Sequence, residues 1–255
     1  MAVDQGPDKV YLVGAGPGAA DLITVRGARL LAEADAVLHD ALVTPDMLAL
    51  CPQAELIAVG KRSGQRSTAQ ALINQLLVDA ARRHKLVVRL KGGDPMLFGG
   101  ADEELRALED AAIPYEIVPG ITAALAAAAS ARQPLTRRGI ARSVALFTSA
   151  TAPGEPGQVT LPDCDTLVQY MGGREAMVTA RKLLERGQSG DTPVVVVENC
   201  SRPDQRIFRL TIDTLARGLG EAHGPVLVML GDAMHQRAHQ APDADDTECE
   251  RRQSA

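Results

Sequence analysis

Short apolar runs rich in Val, Leu and Ile recur along the chain, each followed by a stretch whose apolar positions repeat with helical spacing. KVYLV (9–13) reads as a buried strand, closed by the turn Gly14-Ala15-Gly16-Pro17-Gly18. Asp21 is the expected N-cap of the helix LITVRGARLLAEA. Strand AVLH (36–39), a helix from Pro45 and strand ELIAV (55–59) come next. Ser67 or Thr68 is expected to cap an amphipathic helix reaching about His84, after which strand LVVRL (86–90) enters the loop Lys91-Gly92-Gly93-Asp94-Pro95. A helix at 102–111, strand YEIV (115–118) and an Ala-rich helix (121–131) complete this half. Such alternation predicts a mostly parallel sheet covered by helices.

RQPLTRRGIAR (132–142) breaks the rhythm and marks a domain junction. Beyond it the pattern predicts strands at 143–148, 166–171 and 193–199, a helix at 174–187, and two strands within 206–230 around a short helix. Hairpin-like spacing there predicts a mixed sheet. The expected organisation is two α/β domains, 9–136 and 137–237, and an acidic tail, 238–255, that reads as disordered.

Composition narrows the class. Lys and Arg number 27 against 32 Asp and Glu, for a net charge of −5, of which the tail carries −3. An acidic protein is a poor general nucleic-acid binder, whose affinity comes from neutralising phosphates. Aromatics are 2% of the chain, too few for a base-stacking platform. No apolar stretch is long enough for a membrane span. Cys51, Cys164, Cys200 and Cys249 form no CxxC pair and read as reduced thiols, so neither a disulfide frame nor a metal site is expected and the cytoplasm is the expected location.

Three glycine-bearing loops carry the candidate chemistry. GAGPGA (14–19) lies between a strand and a helix and fits the dinucleotide fingerprint, with Asp35 or Asp40 as the acid expected about 20 residues on. Pro17, however, removes an N–H where a phosphate cradle needs donors. Gly92-Gly93-Asp94 permits close backbone approach beside a carboxylate, and Pro119-Gly120-Ile121-Thr122-Ala123 opens a helix whose first N–H groups are free. All three loops follow strands and are expected to line one crevice at the carboxyl edge of the sheet.

Together with Val59-Gly60-Lys61-Arg62, Arg89-Leu90-Lys91-Gly92-Gly93-Asp94-Pro95, Pro134-Leu135-Thr136 and Tyr170-Met171-Gly172, in this order, the loops resemble the tetrapyrrole methylase family from about Val10 to Asp232. The resemblance implies two α/β domains with an active-site trough between them, a homodimer, and transfer of methyl groups from S-adenosylmethionine, which becomes S-adenosylhomocysteine. It further implies double C-methylation of uroporphyrinogen III to precorrin-2, toward siroheme and cobalamin. By motif match it places Pro17, Gly92, Gly93, Asp94, Leu97, Thr122, Ala123, Met171 and Cys200 on the cofactor. Asp40 falls on the proton-acceptor position and Lys61 on the proton-donor position, while Arg62, Glu103 and Arg138 are expected at the tetrapyrrole. A substrate with eight carboxylates calls for cations, and Arg132, Arg137, Arg138 and Arg142 at the junction, with Arg62, Arg66 and Lys91, are the candidates.

Two positions depart from the family pattern: Ala41 and Gly100 stand where arginine is usual. Two alternatives to the uroporphyrinogen reading therefore stay open, a tetrapyrrole methylase with a different acceptor and a catalytically idle cofactor- or tetrapyrrole-binding protein. A nicotinamide dehydrogenase fits Pro17 and the second-half motifs poorly.

Overall fold

The computed structural model describes residues 9–60, 70–150, 160–173 and 175–236. The first sheet contains β1 (Lys9–Gly14), β2 (Ala36–His39), β3 (Glu55–Ala58), β4 (Leu86–Lys91) and β5 (Tyr115–Val118). All its pairings are parallel, in the order β3-β2-β4-β1-β5. Helices α1 (Val25–Glu33) and α2 (Pro45–Leu48) cover one face, where Val13, Leu30, Leu31, Met47 and Val88 are buried together. On the other face α3 (Gln70–Arg83) and α4 (Ala101–Asp110) pack Leu77 and Leu108 against Val10, Leu12 and Val87. Strands buried on both faces need continuous apolar runs, which is why KVYLV and LVVRL stand out in the sequence.

Helix α5 (Ala123–Ser130) follows the first sheet in the chain but packs on the second. That sheet comprises β6 (Val144–Thr148), β7 (Thr166–Tyr170), β8 (Pro193–Glu198), β9 (Arg206–Thr211) and β10 (Val226–Leu230), ordered β6-β7-β10-β8-β9. Only β6 and β7 run parallel; the other three pairings are antiparallel, as the mixed-sheet expectation required. Ala124, Ala127 and Ala128 let α5 lie close against Val168, Val195 and Met229, since an alanine face brings the helix backbone near the sheet. Helices α6 (Glu175–Glu185) and α7 (Ile212–Leu215) cover the opposite face with Ala180, Leu183, Ile212 and Leu215. Among the described residues no helix is long and apolar enough to cross a membrane.

Three expectations need adjusting. Asp21 lies in a 3-10 turn (Ala20–Leu22) and does not cap α1; Thr24 does, its Oγ1 accepting from Gly27 N at 3.1 Å. The helix from Pro45 stops after four residues. Strand β7 ends at Tyr170, because Met171 adopts φ 55° and turns the backbone out of the ladder. Ser67, Thr68, Cys249 and the acidic tail lie outside the described residues.

The entry to β6 is fixed by one exposed carboxylate. Asp165 Oδ2 accepts from Arg142 N (2.8 Å), Ser143 N (2.9 Å) and Ser143 Oγ (2.8 Å). The Arg142 amide, then the Ser143 hydroxyl and amide, hold its pKa below the usual carboxylate value. A depressed folded pKa contributes stability above the unfolded value, about 3.9 for Asp, and that contribution is lost as pH falls through the folded value. Asp165→Asn should therefore lower the melting temperature at pH 7, and the gap to wild type should close as pH drops below about 4. Thermal unfolding followed by circular dichroism between neutral and strongly acidic pH checks this; a pH-independent gap contradicts it.

Candidate functional site

Strands β4, β1 and β5 are neighbours, so the loops leaving their carboxyl ends emerge side by side. The first two are hydrogen-bonded to each other: Gly16 N donates to Gly93 O (3.1 Å), Gly93 N to Gly16 O (2.7 Å) and Ala15 N to Lys91 O (2.7 Å). Asp94 joins the loop after β4 to the loop after β5, its Oδ2 accepting from Gly120 N and its Oδ1 from Met96 N, both at 2.9 Å. Much of this carboxylate's capacity is thus spent inside the protein. The three backbones close up because glycine stands at each crossing. A Cβ built on Gly120 would run into the Gly93 carbonyl and lie 2.7 Å from Gly14 Cα, and Gly93 itself sits at φ 69°.

Between these loops and the second sheet is a cavity of about 240 Å³. Pro17, Gly92, Gly93, Asp94, Leu97, Thr122, Ala123, Met171 and Cys200, the nine residues matched to the cofactor, all line it. Tyr170, Phe98, Asn199, Arg202 and Leu42 also line it and were not singled out from the sequence. Tyr170 is the most informative omission. Its hydroxyl lies 2.5 Å from Thr122 Oγ1 and accepts from Ala124 N at 3.2 Å, and its ring meets Phe98 at 5.0 Å between centroids. Burial raises the Tyr170 pKa, so the phenol stays protonated at neutral pH. Its place beside Met171 in the Tyr-Met-Gly motif was the available signal.

The floor of the cavity comes from a strained turn. Asn199 (φ 51°) and Ser201 (φ 59°) flank Cys200, whose buried thiol has its pKa raised by desolvation and so presents a neutral sulfur. From this turn Ser201 Oγ accepts from Ala19 N (3.0 Å), and an Arg202 guanidinium nitrogen donates to Leu42 O (2.7 Å). Both contacts reach from the second sheet to loops of the first and close the cavity on that side.

Asp40 stands at the end of β2, next to the cavity though not lining it. Arg89 donates to its Oδ1 at 2.6 Å. Arg89 also donates through Nε to Glu104 Oε1 (3.0 Å) and through another nitrogen to Leu90 O (3.2 Å). Lys91, expected as a substrate cation, is fully buried instead, with its ammonium 2.8 Å from Glu104 Oε1. Burial, and after it the Arg89 charge, lowers the Lys91 pKa, with Glu104 opposing. Period two along β4 explains the correction: Arg89 and Lys91 both point to the face covered by α4, where Glu104 waits.

The other expected substrate contacts are not gathered here. Glu103 is exposed near the start of α4 and Arg138 is exposed in the junction loop; neither lines the cavity. Arg132 and Arg142 are likewise exposed, and Arg137 reaches the His235 carbonyl at 3.5 Å. Lys61, Arg62 and Arg66 lie outside the described residues.

A family model for tetrapyrrole (corrin/porphyrin) methylases matches residues 9–216, and the chain belongs to that family. A siroheme synthase of Pseudomonas fluorescens (strain SBW25) is 44% identical over 239 residues, which cover 91% of this chain and 52% of the relative. The chain spans about half the length of the curated relatives it matches. Among solved structures, the native uroporphyrin III C-methyl transferase of Thermus thermophilus is 39% identical at a TM-score of 0.76, over 88% of this chain and 98% of that one. The same enzyme solved with S-adenyl homocysteine has the same identity, coverage and TM-score. A cobalt precorrin-4 methyltransferase of cobalamin biosynthesis is 31% identical at a TM-score of 0.76, over 92% of this chain and all of its own.

The loop crossing can be tested by itself. Gly120→Ala should lower unfolding stability by about 1–3 kcal/mol, the usual cost of overpacking. Gly173→Ala, where an added Cβ meets nothing within 4 Å, should stay within about 0.5 kcal/mol of wild type. Urea unfolding measures both, and equal effects would contradict the crossing as the constraint.

Proposed function

We propose that this chain is a S-adenosylmethionine-dependent C-methyltransferase that methylates uroporphyrinogen III twice, giving precorrin-2. The observation that carries the proposal is the convergence of all nine cofactor-matched residues on one cavity at the carboxyl edge of β4, β1 and β5. The lining fits the cofactor. Leu97, Ala123, Val226 and Leu227 offer apolar wall for an adenine and a thioether, and the glycine loops let backbone groups approach its polar parts. When bound, S-adenosylmethionine supplies an electrophilic methyl group. The same reading makes the working unit a cytoplasmic homodimer that needs neither metal nor nucleic acid.

The residues of this chain then have defined tasks. The loops and the Tyr170–Thr122 pair fix one reactant, and the trough beside Asp40 receives the other, so methyl transfer becomes a matter of alignment. Carbon methylation of the ring system must end with loss of a proton. Asp40 takes it: Arg89 engages Oδ1, while Oδ2 has no partner among the described residues and the side chain is 29% exposed. Lys61 is assigned the donor role by the motif match alone.

Incubation with methyl-labelled S-adenosylmethionine and enzymatically prepared uroporphyrinogen III should yield a tetrapyrrole carrying two labelled methyl groups; no label in the tetrapyrrole overturns the proposal. Asp40→Asn should lower kcat by about 10²–10⁴-fold, the usual range for a general base. Its affinity for S-adenosylhomocysteine, measured by calorimetry, should remain within about twofold of wild type, because Asp40 does not line the cavity.

A different tetrapyrrole acceptor is favoured by one observation. Gly100, where the family usually has arginine, precedes α4 at φ 62°, a conformation that disfavours any side chain. The glycine therefore leaves a carboxylate-rich acceptor without the cation that the family pattern has at this position. If a less carboxylated porphyrinogen is the natural acceptor, it should be methylated with a higher kcat/KM than uroporphyrinogen III in parallel assays, and Ala41→Arg should not raise activity on uroporphyrinogen III.

A further inference from the structure

From Asp40 inward runs a row of four alternating charges: Asp40, Arg89, Glu104 and Lys91. The Arg89 side chain is 2% exposed, those of Glu104 and Lys91 1% each, and Asp40 alone reaches solvent, at 29%. Glu104 Oε1 takes both cations, at 3.0 Å from Arg89 Nε and 2.8 Å from Lys91 Nζ. Stability does not explain this row. Each buried ion costs several kcal/mol of desolvation, and well-packed apolar residues of similar volume often serve as well or better. Nor is the row optimised for stability, since among the described residues Glu104 Oε2 has no hydrogen-bond partner.

What the row does achieve is geometric. Arg89 is tethered by three acceptors in three directions: Glu104 Oε1, the Leu90 carbonyl and Asp40 Oδ1. A guanidinium is a rigid planar fork, so fixing its Nε side on α4 fixes the orientation of its other side at Asp40. Lys91, the next residue on that face of β4, balances the Glu104 charge, so Arg89 does not have to.

We propose that Glu104 is a positioning residue for the methyl-transfer reaction, holding the Asp40 carboxylate toward the trough through Arg89, with Lys91 as its charge balance. The proposal rests on the assignment of Asp40 as the base. Glu104 touches no reactant and acts only through the fork. Its loss therefore lowers kcat and leaves KM and cofactor affinity unchanged.

Removing Glu104 alone would leave the buried Lys91 without its counter-ion, so the test removes that balancing charge with it. Lys91→Met/Glu104→Leu keeps the site apolar and leaves Arg89 Nε without an acceptor, whereas Lys91→Met/Glu104→Gln restores one. The Leu variant should lose at least tenfold in kcat, with KM and S-adenosylhomocysteine affinity within twofold of wild type. The Gln variant should recover most of that kcat. Added to Asp40→Asn, the Leu variant should cause no further loss, since residues acting through one group are non-additive. Additive losses, equal kcat in the Leu and Gln variants, or a change confined to KM overturn the positioning role. Crystal structures of both variants supply a readout independent of turnover: the 2.6 Å Arg89–Asp40 contact should be lost with Leu and kept with Gln. Should wild-type protein not methylate uroporphyrinogen III, the functional reading fails and the crystal structures still decide whether Glu104 holds Asp40. Contact retained with Leu overturns the proposal.

Discussion

Three polypeptide loops meet in van der Waals contact because none has a side chain where they cross. Gly14, Gly93 and Gly120 abut so closely that a methyl group on Gly14 or Gly120 would overlap a neighbouring backbone. The hydrogen bonds between Gly16 and Gly93, and the Asp94 peg into Gly120 N, become possible only at that approach. Most of what lines the cavity from the first sheet is placed by this crossing: Pro17 on one loop, Asp94 and Leu97 on the next, Thr122 and Ala123 on the third. Glycine weakens secondary structure and costs entropy on folding. Its concentration at strand ends makes sense where backbone proximity is the product being built.

The second sheet completes what the crossing begins. Helix α5 leaves the third loop directly, and its alanine face lies on β7, β8 and β10, so the loop is anchored between two cores. Tyr170 at the end of β7 then reaches back to Thr122 and Ala124 N, and the Ser201–Arg202 turn reaches across to Ala19 and Leu42. The cavity walls are thus tied to both sheets by polar contacts over an apolar lining. This is the arrangement of sites that bury a mostly apolar ligand and orient it with a few convergent polar groups.

Most of the first sheet was legible because a parallel strand covered on both faces is mostly apolar, and such runs survive as contiguous Val and Leu. The glycine loops were legible for the same kind of reason, since few other residues can occupy a crossing. Side-chain direction was less accessible. Lys91 follows the strand into a glycine loop and looks available to an anion, but the pleat turns it under α4 onto Glu104, some dozen residues on. Arg138 and Glu103 do not line the cavity. Tyr170 was hidden differently: its role depends on a partner, Thr122, that arrives from the other half of the chain. Asp21 and Thr24 are both good caps, and the choice turned on a 3-10 turn that local propensity does not decide.

Strand order explains why a dinucleotide fingerprint here takes on other chemistry. In the doubly wound dinucleotide fold the strand bearing the glycine loop lies beside the second strand, so an acid at the end of the latter can reach a ribose. In this chain β4 is inserted between β2 and β1. The inserted strand brings Arg89 opposite Leu38, one residue pair short of the sheet edge where Asp40 stands. Asp40 is therefore separated from the Gly14 loop by a strand that carries its own cation, and it pairs with that cation at 2.6 Å. The same crossover sends Gly93 against Gly16, so the backbone groups of the turn are paired with protein. One change in the order of five strands thus removes the acid from the ribose position and gives it a guanidinium partner. It also makes the Gly14–Gly18 turn one wall of the cavity between the two sheets.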